Sequence, residues 1–224
     1  MTFYDRLLQE TAPARADFLA IPALAAAIEQ GVPRELYVAY LSEAYHHVKY
    51  TVRLLALALA RTGDADAEYQ RALVEYIDEE KGHETWILDD IRAMGGDSDA
   101  VRRGRGGFAC RTMIGYMHYA IEHLSPYAML GMVHVLEGIS VMIADKAAKA
   151  IRAQLGAGTA GFSYLTSHGG LDVSHVAFFR QLVDGIADPA QQAVIIDTAN
   201  VIYRLFGDMF RDLGRKWEQR ANAA

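Results

Sequence analysis

Residues 37–61 run YVAYLSEAYHHVKYTVRLLALALAR. Apolar side chains recur along this stretch at intervals of three and four, the period of a helix with one face in a core. Pro33 suits an N-terminal helical position, and Gly63-Asp64 closes the run. One long helix is therefore expected from about Pro33 to Arg61. The same period fills most of the chain, and no run alternates convincingly with period two, so the fold class is all-α. Further helices are expected over about Phe3 to Thr11 and after Pro22, with Leu24, Ile28 and Val32 on the apolar side. Another covers Asp66 to Met94 and ends at Gly95-Gly96. A Gly- and Arg-rich loop spans 95–107. Helix resumes near Ala109, breaks at Ser125-Pro126 and continues to about Leu155. After the link from Gly156 to Gly161, a helix covers Ser163 to Val183. Asp188-Pro189 then starts the last one, because Asp caps and Pro fits the first turn. With no repeat and no linker, residues 1–224 form a single domain.

Composition narrows the function. A chain of 224 residues, 52% hydrophobic, can bury a sizeable core. A net charge of −6 speaks against nucleic acid as the main partner, since phosphate binding needs a basic face. The one basic run, Arg102-Arg103-Gly104-Arg105, reads as a solvated loop. A single cysteine, Cys110, forbids an internal disulfide and fits a reducing cytoplasm. No signal peptide is legible, and no stretch approaches the apolar length of a membrane span, so no membrane association is expected.

The chemistry is concentrated in residues 167–175, SHGGLDVSH. His168, Asp172 and His175 stand at i, i+4 and i+7, which puts two imidazoles and a carboxylate on one helical face. Two glycines inside that helix, Gly169 and Gly170, cost roughly 1 kcal/mol each relative to alanine. A helix that metal binding orders is the expectation. Glu80 and His83 add a Glu-x-x-His, the motif used by di-metal helix bundles. On its own this pair reads as a solvated stripe, because Asp78, Glu79, Lys81 and Glu84 surround it. Glu137 differs. It sits in VHVLEGISVMI, residues 133–143, and a carboxylate on an apolar helix is costly unless paired or metal-bound. His134, one turn earlier, is a ligand or a partner of one. Glu43, with His46 three residues on, forms a second Glu-x-x-His, while His47 reads as partly exposed. His118 and His123 read as ordinary residues of an amphipathic helix. Carboxylates and imidazoles without clustered cysteines suit iron or manganese better than structural zinc.

At this point the chain resembles a known family. Residues 37–61 are similar to the second long helix of TenA-like, haem-oxygenase-like proteins. Glu80-x-x-His83, then Glu137, then His168, Asp172 and His175 resemble the pattern of the haem-oxygenase-like di-iron oxidases. The resemblance implies one bundle of about seven helices with the metals between core helices. It implies Glu43, Glu80, His83, Glu137, His168, Asp172 and His175 as ligands of two iron ions, manganese being the alternative metal, with Glu79 able to replace Glu80. The implied reaction is an O₂-dependent oxidation of a small organic substrate of the fatty-acid or amino-acid class. Tyr45, Tyr116, Tyr119 and Met129 are candidate pocket residues. By the same analogy the chain is expected to form a homo-oligomer, dimer or tetramer.

Departures remove neighbours. TenA-type thiaminases carry an aspartate where Ala44 stands, and a nucleophilic cysteine near Ser125-Pro126-Tyr127, for which Cys110 is too early. Haem oxygenases hold haem through a histidine on the first helix, and no histidine precedes His46, so no haem is expected. A member that consumes its own tyrosine would need an early tyrosine that cannot be placed, although Tyr164 and Lys146 lie near the motifs. The alternatives are a TenA-like hydrolase of an aminopyrimidine or thiamin, and a metal-free binding protein.

Overall fold

The computed structural model describes residues 1–222, and the side chains of all of these except 168–175. Among the described residues there are twelve α-helices and no β-strand. Three short helices come first: α1 (Phe3–Glu10), α2 (Ala12–Leu19) and α3 (Pro22–Glu29). Then follow α4 (Arg34–Val48), α5 (Thr51–Arg61), α6 (Ala67–Glu80), α7 (His83–Ala93) and α8 (Ser98–Arg103). The last four are α9 (Phe108–Tyr119), α10 (Ala128–Leu155), α11 (Ser163–Asp184) and α12 (Pro189–Ala221).

The all-α expectation holds, but helices expected to be continuous are broken, which is why there are more than about seven. The helix of residues 33–61 turns at Lys49-Tyr50, where the Tyr50 amide donates to the His47 carbonyl at 3.0 Å and tightens the backbone. The helix of 66–94 breaks at Gly82, whose φ of +96° is left-handed and suits glycine. The 95–107 loop contains the short α8. An α-helix between α1 and α3, α2, carries no strong amphipathic pattern and was not expected from the sequence. The break before Pro126 is present: Ser125 is extended, as the residue before proline prefers, and its amide closes a wide turn on the Ala120 carbonyl. Asp188 caps α12 by accepting from the Ala190 amide at 2.9 Å, with Pro189 in the first turn.

α10 is the central element, packed by α3, α11 and α12. By length and composition it could cross a membrane, contrary to the expectation that no stretch would, but more than half of its most apolar window is buried inside this bundle. Around it lie two apolar clusters. One joins α5, α6, α9, α10 and α12, with Leu54, Leu73, Met113, Met132 and Ile202 at its heart. The other joins α4, α7 and the second half of α10 through Tyr37, Leu41, Ile87, Ile91 and Ile151. Leu41 and Leu54 are fully buried, each stabilising by about 2 kcal/mol.

Candidate metal centre

A cavity of about 160 Å³ lies where the two clusters meet. α3 contributes Ala23, Leu24 and Ala27 to it. α10 contributes a stripe from Met129 to Ile151, and α12 contributes Phe206, Phe210 and Leu213. The polar lining is Glu80, Glu137, His47, Thr51, Ser140 and four tyrosines, Tyr37, Tyr40, Tyr76 and Tyr164. Among the described lining residues there is no lysine or arginine.

The Gly82 break shapes this wall. Glu80 ends α6 and His83 begins α7, so a pair that would sit one turn apart on one helix spans a corner instead. His83 is 5% exposed, and its Nδ1 lies 3.1 Å from Glu80 Oε2. A carboxylate only accepts, so Nδ1 is the donor in this bond, and Nε2 is the nitrogen that a metal would take. The ring stacks on Trp86 at 4.3 Å. Glu137 enters the same cavity from α10 and also lines a second one, of about 350 Å³, with Tyr4, Arg15, His134 and Tyr203.

The tyrosines are held as phenols. Burial, then the charge of Glu137, pushes Tyr76 far above its ordinary value. Burial, then Tyr40 and Glu80, does the same at Tyr164, whose hydroxyl pairs with that of Tyr40. Each is therefore a proton-bearing donor in a wall that also holds two carboxylates.

Of the residues singled out in the sequence, Glu80, Glu137 and Met129 line this cavity, with His83 hydrogen-bonded to Glu80. Glu79 is exposed, so Glu80 is the inward member of that pair. His168, Asp172 and His175 lie on α11, outside the described side chains, as does the glycine-dependent ordering of that segment. Among the described residues no three His, Cys, Asp or Glu side chains close on one point. Glu43 does not join the cavity: both its oxygens take the Gly107 amide, at 2.8 and 3.0 Å. Tyr45 packs in the α4–α7 core, under the Lys49 ammonium. Tyr116 faces Thr198 on α12, and Tyr119 is 54% exposed. His134 Nε2 meets the Thr11 hydroxyl at 3.3 Å. That hydroxyl donates to the Leu7 carbonyl, so the imidazole is the donor to it. Burial first, and Arg15 next, lowers His134 to about 4. It joins α10 to the α1–α2 corner.

His47 is only 3% exposed and lines the cavity, against the expectation of a partly exposed residue. Tyr37, Tyr40, Tyr76 and Tyr164 were missed as lining residues. Spacing held a signal: Tyr40 is two turns before His47, and Tyr76 one turn before Glu80.

From residue 38 to residue 219 the chain matches the model of a family described as iron-containing redox enzymes. The chain belongs to this family. Solved structures bear out the haem-oxygenase-like, TenA-like fold of this family member. A domain of unknown function with a haem oxygenase-like fold from Shewanella denitrificans OS217 superposes with a TM-score of 0.88 at 21% identity, over 99% of this chain and 96% of that one. Haem oxygenase-1 from Synechocystis sp. PCC6803, solved with haem, gives 0.77 at 12% identity over 100% and 97%. A TenA homologue from P. horikoshii OT3 gives 0.77 at 10% over 96% and 99%. At these identities the likeness is one of fold. No curated protein matches the chain in sequence.

The donor set fits iron. Two carboxylates and an imidazole are the hard and intermediate ligands that Fe(II) takes.

Proposed function

We propose that this protein is an O₂-dependent non-haem di-iron oxidase of a small organic substrate. The ligands in this reading are Glu80, His83, Glu137, His168, Asp172 and His175, with Glu43 outside the set. The observation that carries it is the convergence of Glu137 with the hydrogen-bonded Glu80–His83 pair on one apolar cavity, in a chain of the iron-containing redox family. Iron bound there would supply O₂ reduction and the withdrawal of electrons from the substrate; manganese is the alternative metal.

The chain's own residues do the rest. Glu80 fixes the tautomer and orientation of the His83 ring. Glu137 lines both cavities, so its carboxylate would hold iron where the two approach each other. The aliphatic lining excludes water, which keeps reactive species from being quenched. Tyr76, Tyr40 and Tyr164 hold protons beside the carboxylates.

The lining also discriminates between the two substrate classes. Both classes carry a carboxylate, so the wall can separate them only through the apolar part of the substrate. An alkyl chain finds Leu24, Met132, Ile143 and Phe210. We therefore favour the fatty-acid class. Hydrolysis of the TenA type has no support from Cys110, the sole cysteine. It does not line the cavity, and burial first, then Glu43, pushes its thiol up to about 12. A cytoplasmic homo-oligomer remains part of the proposal by analogy.

Anaerobic Fe(II) titration followed by O₂ tests this reading. Two ferrous ions per chain and O₂ uptake accelerated by medium-chain fatty acids, not by amino acids, are expected. A chain that takes up no iron would end the oxidase reading. Acceleration by amino acids alone would overturn the substrate class.

A further inference from the structure

α11 has no cap of its own. Its N-cap residue, Phe162, has no side-chain oxygen to offer the first amides. Asp90 supplies the cap from another helix. Its carboxylate, 3% exposed, accepts from the Ser163 amide at 3.0 Å and the Ser163 hydroxyl at 2.7 Å through Oδ1, and from the Tyr164 amide at 2.8 Å through Oδ2. The approach is closely built. Gly161, at φ +100°, lies so near α7 that a Cβ there would meet the Asp90 carbonyl at 2.9 Å. Its own carbonyl accepts from the Tyr37 hydroxyl at 3.1 Å, and Phe162 is stacked on Tyr37 with centroids 5.2 Å apart.

The position of Asp90 gives this clamp a consequence for the iron site. Asp90 is two turns along α7 from His83, on the buried face that also carries Ile87 and Ile91. One helix therefore bears both an iron ligand and the anchor of α11, and His168 follows that anchor by five residues in sequence. Two charge-assisted bonds to consecutive amides fix both the rotation of α11 about its axis and its translation along it. Helices in proteins owe most of their stability to packing, so such a constraint is not redundant with the helix itself.

We propose that Asp90 is a positioning residue for the metal centre: it sets the register of α11 against α7, and so of His168, Asp172 and His175 against His83. The inference rests on the di-iron reading. Asp90→Asn tests it, because the amide keeps the size but turns an NH₂ toward one of the two backbone donors. Co(II) is the probe, since its visible absorption reports ligand geometry and needs no turnover. In the wild type two Co(II) ions are expected. In D90N the affinity should fall at least 10-fold and the visible bands should change, while the metal-free variant still unfolds in one cooperative transition at a lower midpoint. In the metal-free variant, amides 165–167 should exchange faster than in the wild type.

Ser163→Ala, which removes one bond and leaves both backbone amides capped, should change Co(II) affinity less than 3-fold. Should D90N not fold, Asp90→Glu carries the same test. It keeps the charge and displaces the cap by a methylene, with a 3- to 10-fold loss expected. Unchanged Co(II) affinity and spectrum in these Asp90 variants would overturn the positioning role and leave a plain helix cap. Failure of the wild type to bind Co(II) or Fe(II) would instead overturn the reading beneath it.

Discussion

Two tetrapeptides in this chain share one spacing and meet different ends. Glu43-Ala44-Tyr45-His46 lies within the continuous helix α4. Glu80-Lys81-Gly82-His83 straddles the corner between α6 and α7. In the first, Glu43 gives both oxygens to the Gly107 amide at the start of α9, where a carboxylate is favoured by the helix dipole. His46 takes the Lys49 ammonium on Nδ1 at 3.0 Å. In the second, Glu80 and His83 bond to each other at 3.1 Å and Glu80 faces the cavity. Spacing of i, i+3 decides only that two side chains share a face. What that face meets decides their chemistry: a helix N-terminus and a lysine for one pair, an apolar cavity with Glu137 for the other.

The largest effect expected is the one that would break this contrast. Glu80→Gln should weaken Fe(II) binding at least 100-fold, about 3 kcal/mol, with little change in the unfolding midpoint. Glu43→Gln should leave the iron stoichiometry intact and lower stability by about 1–2 kcal/mol, because a charge-assisted bond becomes a neutral one. Anaerobic titration beside urea unfolding separates the two. Iron lost from the Glu43 variant would return Glu43 to the ligand set.

Acid should expose the structural role of the first pair. Burial, then the Lys49 ammonium, lowers His46 to about 4. Below pH 6.5 the unfolded chain binds a proton that the native imidazole refuses, so this group contributes nothing above that pH and destabilises progressively as pH falls toward 4. Between pH 7 and pH 5 the loss from His46 should approach 1–2 kcal/mol. Urea unfolding across that range should show a shallower pH slope in His46→Gln. An unchanged slope would mean that His46 is protonated in the native state.

How much of this was legible in the sequence follows the same division. Helical period alone gave the all-α class, because a buried stripe must recur at 3.6 residues wherever a helix packs. It did not give the breaks at Tyr50 and Gly82, since both lie inside runs whose apolar spacing continues across them. The Glu80–His83 pair was found through its motif, and Glu137 through its apolar surroundings, which a sequence displays directly. The destination of Glu43 was not legible, because Gly107 lies 64 residues away and only tertiary packing brings it there. For the same reason Tyr40, Tyr76 and His47 read as ordinary helix residues until α4, α6 and α10 enclosed a cavity. The opposite error, Tyr119 as a pocket residue, came from giving an aromatic more weight than its side of α9 deserved.

The Gly82 corner can be tested apart from the side chains it separates. A Cβ there would touch nothing within 4 Å, so Gly82→Ala meets only the backbone penalty of a left-handed φ, about 1–2 kcal/mol. Relief of that strain toward a right-handed turn would draw Glu80 and His83 onto one continuous helix face, as Glu43 and His46 are. Iron affinity should then fall further than stability does. Equal losses in the two measurements would show that the corner is a fold feature without influence on the ligands.

Gly107→Ala is the gentlest probe. Gly107 has φ −56°, open to any residue. Its added Cβ would sit 3.0 Å from Glu43 Oε1 and 3.2 Å from Oε2, close enough that the carboxylate must shift by a few tenths of an ångström. The amide bond to Glu43 would lengthen without being lost, for an expected cost below about 1 kcal/mol. Because Glu43 serves α9 and not the cavity, Fe(II) affinity should match the wild type within twofold. A larger change in iron binding than in stability would reveal coupling between the two tetrapeptides through α4, whose His47 lines the cavity one residue beyond His46. That result would make the division between them one of degree.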